Sequence, residues 1–257
     1  MEQRVLGQTG LTVGRLGISA SYGVPAAAVE RAVEAGMTYL YYGSLRRRAF
    51  ADAVRRLAPR RSSFTLVVQS YSPFGWGITR SLERALSSLG LDHADVLLIG
   101  MWNRQPPPRV LDACAALKAR GLTRFVALST HRRSLVPAMA GRGGAVDIFH
   151  VRYNAAHRGA EAEVFARLPA ERRPGIVSFT ATCWGRLIAP RRTPPGDRTP
   201  SATDCYRFVL SHPAVDVCLT GPRSAAHVEA ALEALRLGPM HETELAWMRR
   251  VGDAVHG

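Results

Sequence analysis

Apolar residues recur along the chain in short continuous runs, and each run is followed by a segment with the apolar spacing of a helix. Continuous runs without alternation are typical of parallel strands that are buried on both faces. Strands are predicted at residues 16–20, 38–41, 64–68, 95–99, 124–128, 146–149, 175–179 and 215–219. Helices are predicted at residues 26–35, 46–57, 79–89, 109–120, 133–139, 160–168, 202–211 and 224–235, and an extra C-terminal helix at 242–255.

This alternation predicts a (β/α)₈ TIM barrel that occupies residues 1–257 as a single domain, because eight strand–helix units in about 250 residues match the count of that fold. Residues 4–16 contain two short apolar pieces around Gln8-Thr9-Gly10, which predicts an N-terminal β-hairpin that plugs the bottom of the barrel. An open doubly wound sheet is the alternative architecture. It fits less well, because no Gly-x-Gly-x-x-Gly follows the first strand.

One linker interrupts the alternation. Residues 189–200 (APRRTPPGDRTP) are rich in proline and arginine and show no periodicity. Loops of this length inside compact domains are usually functional or disordered. Two interpretations therefore remain open: a loop that covers a ligand, and a mobile spacer.

The net charge of +14 suggests an anionic partner, but its distribution argues against nucleic acid. Lys118 is the only lysine among 34 Lys and Arg residues, and the arginines are spread over many helices instead of forming one block. This pattern favours a solvated surface with a compositional bias, and a patch for an anionic ligand is the alternative. We predict no nucleic-acid partner.

The remaining composition predicts a reduced, cytoplasmic protein. The four cysteines are far apart without C-x-x-C spacing, which is typical of ordinary buried thiols. No signal peptide opens the chain, and no apolar run approaches the roughly 18 residues of a membrane span. We therefore predict no membrane partner. The eight histidines show no metal-binding spacing, so no metal is predicted.

Several segments, in the same order along the chain, resemble the aldo-keto reductase family. They are LGQTGLTVGRLG at residues 6–17, GMTYL at 36–40, LGLDHADVLLI at 89–99, LKARGLTRFVALS at 117–129 and FVLSHPAVDVCLTGPRS at 208–224. The resemblance implies a (β/α)₈ barrel that binds NADP(H). It also implies hydride transfer between the nicotinamide and a carbonyl, with a tyrosine hydroxyl supplying the proton.

In that family an Asp, a Lys and a His assist the tyrosine, since a neighbouring cation lowers the pKa of a phenol. This sequence departs from the pattern at each of these positions. The Asp falls on Tyr41, the Lys on Gln69 and the His on Gly100, while Tyr42 follows at once where the family has a longer spacer. Only Tyr42 or Tyr41 remains as a candidate proton donor.

The residues expected to bind the cofactor match the family better than the catalytic positions do. By resemblance, Ser129 holds the nicotinamide amide, Phe179 stacks on the ring, and His150 stands where the family often has Gln. A helix beginning at Ser224 is a natural phosphate site, because its N-terminal N–H groups point outward. The segment expected to hold the adenosine 2′-phosphate contains Gly221, Arg223, Ser224, His227 and Glu229.

Three tryptophans each follow a predicted strand: Trp76, Trp102 and Trp184. Two interpretations are open: these side chains line a pocket for an apolar or aromatic small molecule, or they only cover loops. Two functional hypotheses result. The first is an NADP(H)-dependent oxidoreductase with a non-standard proton donor. The alternative is a catalytically inactive barrel, a pseudoenzyme, with a binding or regulatory role.

Overall fold

The computed structural model describes residues 3–43, 45–140 and 144–256, and it begins with the predicted hairpin. Strands β1 (Gln3–Val5) and β2 (Thr12–Gly14) pair antiparallel around a 3₁₀ turn at Gly7–Thr9. Leu6 is fully buried beside the backbone of Gly175, at the N-terminal end of the barrel. The hairpin therefore closes the bottom of the barrel, as its apolar residues predict.

Eight parallel strands form the closed barrel, since the last strand pairs with both its predecessor and the first. The (β/α)₈ prediction is confirmed, and the open sheet is excluded. The strands are β3 (Leu16–Ser19), β4 (Tyr39–Tyr42), β5 (Thr65–Ser70), β6 (Ala94–Ile99), β7 (Thr123–Thr130), β8 (Ile148–Arg152), β9 (Gly175–Phe179) and β10 (Val217–Thr220).

Helices surround the barrel close to the predicted positions, with one clear difference. Helix α6 ends after four residues, and the chain continues as a 3₁₀ turn at Phe165–Arg167, where the ring of Phe165 packs on Tyr153 and His212. The helices are α1 (Ala26–Glu34), α2 (Arg48–Leu57), α3 (Gly75–Leu89), α4 (Pro108–Ala119), α5 (Leu135–Ala140), α6 (Ala160–Glu163), α7 (Ala202–Leu210), α8 (Ala225–Leu237) and the extra C-terminal α9 (Glu242–His256).

Three aspartates stabilise the N-terminal ends of the barrel strands. Each carboxylate is bonded to a cationic side chain and also accepts a hydrogen bond from a backbone N–H of the preceding strand. The backbone bonds measure 2.8 Å and join Leu66 to Asp95, Val126 to Asp147, and Ile176 to Asp216. Because these residues lie at the face opposite the strand C-termini, we assign them a role in stability.

The proline-rich linker is fastened to the neighbouring helices. The guanidinium of Arg198 lies 3.7 Å from the centroid of the Trp247 ring and bonds Asp204, the acidic member of the capping box of α7. Arg250 of α9 bonds Asp197 at 2.8 Å. These contacts attach the second half of the linker to α7 and α9, which its composition did not predict.

Candidate functional site

A cavity of about 680 Å³ opens at the C-terminal ends of the barrel strands. This is the face where barrel enzymes place their active sites. Its lining includes residues from all eight barrel strands, the loop after β9 and the beginning of α8. Among the described residues that line it there is no Lys, Asp or Glu, so Arg223 is its only permanent charge.

Ser129, His150 and Phe179 come from three adjacent strands and all line this cavity. Ser129 and His150 are register partners across β7 and β8, and therefore lie side by side. The Oγ of Ser129 is buried and has no hydrogen-bond partner within the part of the chain that the structure describes. Because an unsatisfied buried hydroxyl is costly, this atom is poised for a polar group of a ligand.

His150 is held inside the barrel by Tyr39. The Tyr39 hydroxyl lies 2.9 Å from Nε2 of His150, and both residues are buried. Burial lowers the pKa of His150 to about 3, since the low-dielectric interior disfavours the charged imidazolium. The imidazole is therefore neutral at physiological pH.

This depressed pKa has a consequence for stability. In the unfolded chain a histidine titrates near a pKa of about 6.5, so below that pH the unfolded state binds a proton that folded His150 refuses. Stability is therefore lost as the pH falls from about 6.5 towards 3, by about 1.4 kcal/mol per pH unit for this group. We expect the unfolding free energy of His150→Gln, measured by urea unfolding between about pH 6 and 4, to fall less steeply with decreasing pH than that of the wild-type protein. The difference in slope should be about 1.4 kcal/mol per pH unit. An unchanged slope would contradict a neutral, buried His150.

The two candidate tyrosines point to opposite sides of β4. Tyr41 faces the barrel interior and lines the cavity. Tyr42 faces outward, where its ring packs on Phe50 of α2 at 6.4 Å and under the guanidinium of Arg47 at 4.9 Å. Successive side chains of a strand alternate between its faces, which is the physical reason for this separation. The geometry corrects the choice of Tyr42, because a side chain outside the cavity cannot reach a ligand within it.

Tyr41 is a weak acid in this environment. Burial, followed by the neighbouring Tyr71, raises the pKa of Tyr41 far above its usual range. A nearby cation would lower that pKa, but no lysine lines the cavity, and Arg223, at the beginning of α8, is the only cation among the described residues that do. Tyr41 is therefore protonated at neutral pH, and it acts as a hydrogen-bond donor more readily than as a strong acid.

The beginning of α8 forms the other end of the cavity. Ser224 caps the helix by accepting a hydrogen bond from the His227 N–H, and His227 Nδ1 accepts one from the Arg223 N–H. Gly221, Arg223 and His227 line the cavity, and the Arg223 guanidinium lies 5.7 Å from the centroid of the Tyr22 ring. A Cβ at Gly221 would lie 2.4 Å from that ring, so the absence of a side chain permits this close approach.

Glu229 does not belong to this group. It pairs with Arg31 at 3.3 Å and with Arg236 at 3.5 Å, and it does not line the cavity. Its place on a different side of α8 from His227 explains the separation. The role of Glu229 as a cofactor residue stays a prediction, and Ser224 contributes the helix cap without lining the cavity.

Comparison with solved structures places this geometry among known folds. An aldo-keto reductase from Bacillus halodurans, in its holo form, matches with a TM-score of 0.82 and 22% identity, over 99% of this chain and 97% of that chain. The aldo-keto reductase from Klebsiella pneumoniae in complex with NADP and acetate matches with a TM-score of 0.81 and 18% identity, over 98% and 96%. The chain has the aldo-keto reductase fold. No protein-family model and no curated protein matches the sequence.

Two of the positions at which the sequence departs from the aldo-keto reductase pattern lie close together in this fold. A Cβ on Gly100 would lie 2.4 Å from the Ser129 Oγ and 2.6 Å from the Gln69 Nε2. The space next to Gly100 is thus occupied by two polar side chains, and Gln69 itself lines the cavity. Lys118 lies elsewhere, on α4, where it pairs with Asp147 at the bottom of the barrel.

Three further tyrosines, which were not predicted from the sequence, line the cavity: Tyr22, Tyr71 and Tyr206. Tyr71 directly follows β5 and Tyr22 follows β3 closely. The criterion applied to the tryptophans, an aromatic residue after a predicted strand, would also have selected these two tyrosines. Of the tryptophans, only Trp184 lines the cavity. Trp76 stacks on Phe74 at the surface, and Trp102 packs against the outer core.

All four cysteines are buried and free. Across residues 3–43, 45–140 and 144–256, no group of three or more His, Cys, Asp or Glu side chains is placed to hold a metal ion. Within the same ranges, no helix is both long and apolar enough to cross a membrane.

Proposed function

We propose that the protein binds NADP(H) in this cavity and is an oxidoreductase that interconverts a small carbonyl compound and its alcohol. One observation carries the proposal: Ser129, His150 and Phe179 share a single cavity with Gly221, Arg223 and His227. The first three residues suit a nicotinamide, and the second three suit a phosphate. The similarity to a structure solved with NADP supports the same ligand.

The residues present fit this cofactor. The unpartnered Oγ of Ser129 and the neighbouring His150 would hold the carboxamide, and Phe179 would lie against the ring. Arg223 and the N-terminus of α8 would hold the 2′-phosphate, since a helix N-terminus and a guanidinium both attract anions. When bound, the nicotinamide donates or accepts the hydride.

Tyr41 is the side chain best placed to serve the substrate oxygen. It lines the cavity, it stays protonated at neutral pH, and its hydroxyl can donate a hydrogen bond to an oxygen on which negative charge develops. The missing cation means that the proton leaves Tyr41 with difficulty. We therefore expect slow turnover, with substrates that need little acid assistance favoured over others.

The lining of the cavity indicates an uncharged, apolar or aromatic substrate. Exposed apolar side chains surround its mouth, among them Tyr71, Met101, Trp184 and Ile188. The described residues that line the cavity include no lysine to pair with a substrate carboxylate and no carboxylate to pair with an amine. Arg223 is the exception, and the proposal reserves it for the cofactor phosphate.

Tyr41→Phe should lower turnover at least about 10-fold, the low end for the loss of a general acid, without changing NADPH affinity. The assay follows NADPH oxidation with aromatic and aliphatic aldehydes and ketones. Tyr42→Phe is the matched variant on the outer side of the same strand, and it should retain turnover. Loss of turnover in Tyr42→Phe alone would remove Tyr41 from the mechanism.

A second function is favoured by the same electrostatics, namely nucleotide binding without turnover. The raised pKa of Tyr41 and the absence of Lys, Asp and Glu from the lining both remove acid–base assistance. If NADPH binds but no carbonyl compound is reduced even at high protein concentration, this binding or regulatory role replaces the enzymatic one.

A further inference from the structure

Inside the barrel, directly below the cavity, one hydrogen bond joins two strands that are not neighbours. Tyr39 on β4 and His150 on β8 lie four positions apart in the eight-stranded barrel, and are therefore opposite each other. The Tyr39 hydroxyl reaches Nε2 of His150 at 2.9 Å across the interior. Neither side chain exposes more than 2% of its surface. The bond is thus shielded from water.

The direction of this hydrogen bond follows from counting protons. A tyrosine hydroxyl has one proton to donate, and Tyr39 has no other hydrogen-bond partner among the described residues. If Nε2 carried the hydrogen, the hydroxyl proton of Tyr39 would be buried without an acceptor, which is costly. Tyr39 therefore donates to Nε2, and the proton of the neutral imidazole resides on Nδ1.

Nδ1 is consequently an N–H donor that has no hydrogen-bond partner among the described residues. No hydrogen bond in the described residues uses it, and it is not among the buried polar atoms that lack a partner. Because Nδ1 is neither bonded nor fully buried and His150 lines the cavity, the cavity is the space that this N–H can reach. Ser129 is its register partner on β7, and its Oγ is free. The two residues together present an N–H donor beside a hydroxyl acceptor, which matches the C=O and NH₂ of a primary amide.

We propose that Tyr39 is a positioning residue that fixes His150 as an uncharged Nδ1–H donor to the carboxamide oxygen of the nicotinamide. This inference rests on the proposed function, because it assigns the amide to NADP(H). Tyr39 touches neither cofactor nor substrate. It acts only by setting which ring nitrogen of His150 carries hydrogen.

The first test needs no ligand. NMR of protein labelled with ¹⁵N-histidine distinguishes the two tautomers by the shifts of the ring nitrogens, and the spectrum of His150→Gln identifies the signal of His150. We expect the Nδ1–H form in the wild-type protein. In Tyr39→Phe, where Nε2 has lost its donor, we expect the signals to move towards the average of two exchanging tautomers. A wild-type His150 with hydrogen on Nε2 would overturn the proposal.

The second test is NADPH affinity. Tyr39→Phe should weaken NADPH binding roughly 3–10-fold, the value of one ordinary hydrogen bond. The control is Tyr153→Phe, which removes another buried tyrosine hydroxyl, one that bonds Glu161 away from the cavity. It should leave both the His150 signal and the NADPH affinity unchanged.

The possible outcomes separate this inference from the proposed function. If Tyr39→Phe binds NADPH as tightly as the wild-type protein, the positioning role is overturned while the cofactor assignment stands. If the wild-type protein binds no NADPH, the proposed function and the amide assignment both fall. In that case the ligand-free spectrum still decides whether Tyr39 fixes the tautomer.

Discussion

Arg223→Ala should weaken NADPH binding by about 10–100-fold and leave NADH binding nearly unchanged. Charge-assisted hydrogen bonds contribute about 1.5–3 kcal/mol, and an arginine can contact a phosphate through two N–H groups at once. Arg223 is the one permanent charge among the described residues that line the cavity, so no second cation there compensates for its loss. NADH has no 2′-phosphate, which makes it the natural internal comparison.

The matched control is Arg236→Ala. Arg236 lies in the last turn of the same helix, where it pairs with Glu229 and Glu233, and it does not line the cavity. The two variants change the net charge equally. Equal losses of NADPH affinity in both would point to a diffuse effect of charge and contradict a phosphate site at Arg223.

Asp216→Ala should lower the free energy of unfolding by about 2–4 kcal/mol. The Asp216 carboxylate is fully buried, and it bonds Arg173 at 2.6 Å, Arg4 at 3.0 Å and the Ile176 N–H at 2.8 Å. Its removal leaves the N–H of Ile176 without an acceptor and removes the carboxylate partner of both Arg4 and Arg173. The two arginines are partly exposed, so water offsets a share of the loss.

Urea unfolding measures this effect, and Asp52→Ala is the control. Asp52 is an exposed partner of Arg55 on α2, and the loss of such a surface pair costs less than about 1 kcal/mol. Equal destabilisation by the two substitutions would show that the bottom of the barrel does not depend on its buried carboxylates.

The eight strands were predictable because each is buried on both faces and therefore reads as a continuous apolar run. Because of the same burial on both faces, the sequence does not show which tyrosine side chains point into the barrel. In β4 every residue from Tyr39 to Tyr42 is buried, so no polar position marks which face points inward. Which residues of β4 face inward becomes known only when the strand pairing and the barrel closure are known. The choice between Tyr41 and Tyr42 depends on this.

Glu229 is a different case, since helix geometry already separated it from the cavity residues. At 3.6 residues per turn, Glu229 lies about 200° around the helix from His227, whereas Ala230 returns to the side of His227 and lines the cavity. Applying that periodicity within the matched segment would have placed Glu229 on a different side of the helix from His227. The bond between Tyr39 and His150 had no comparable signal, because it joins strands that are 111 residues apart in sequence.

Titration of the wild-type protein with NADPH and, separately, with NADH tests most directly whether one cavity holds the whole nucleotide. Trp184 lines the cavity, so its fluorescence should be quenched on binding, with energy transfer to the reduced nicotinamide. We expect micromolar binding that is tighter for NADPH than for NADH. Binding of neither nucleotide would contradict it and leave the barrel as a scaffold for another ligand.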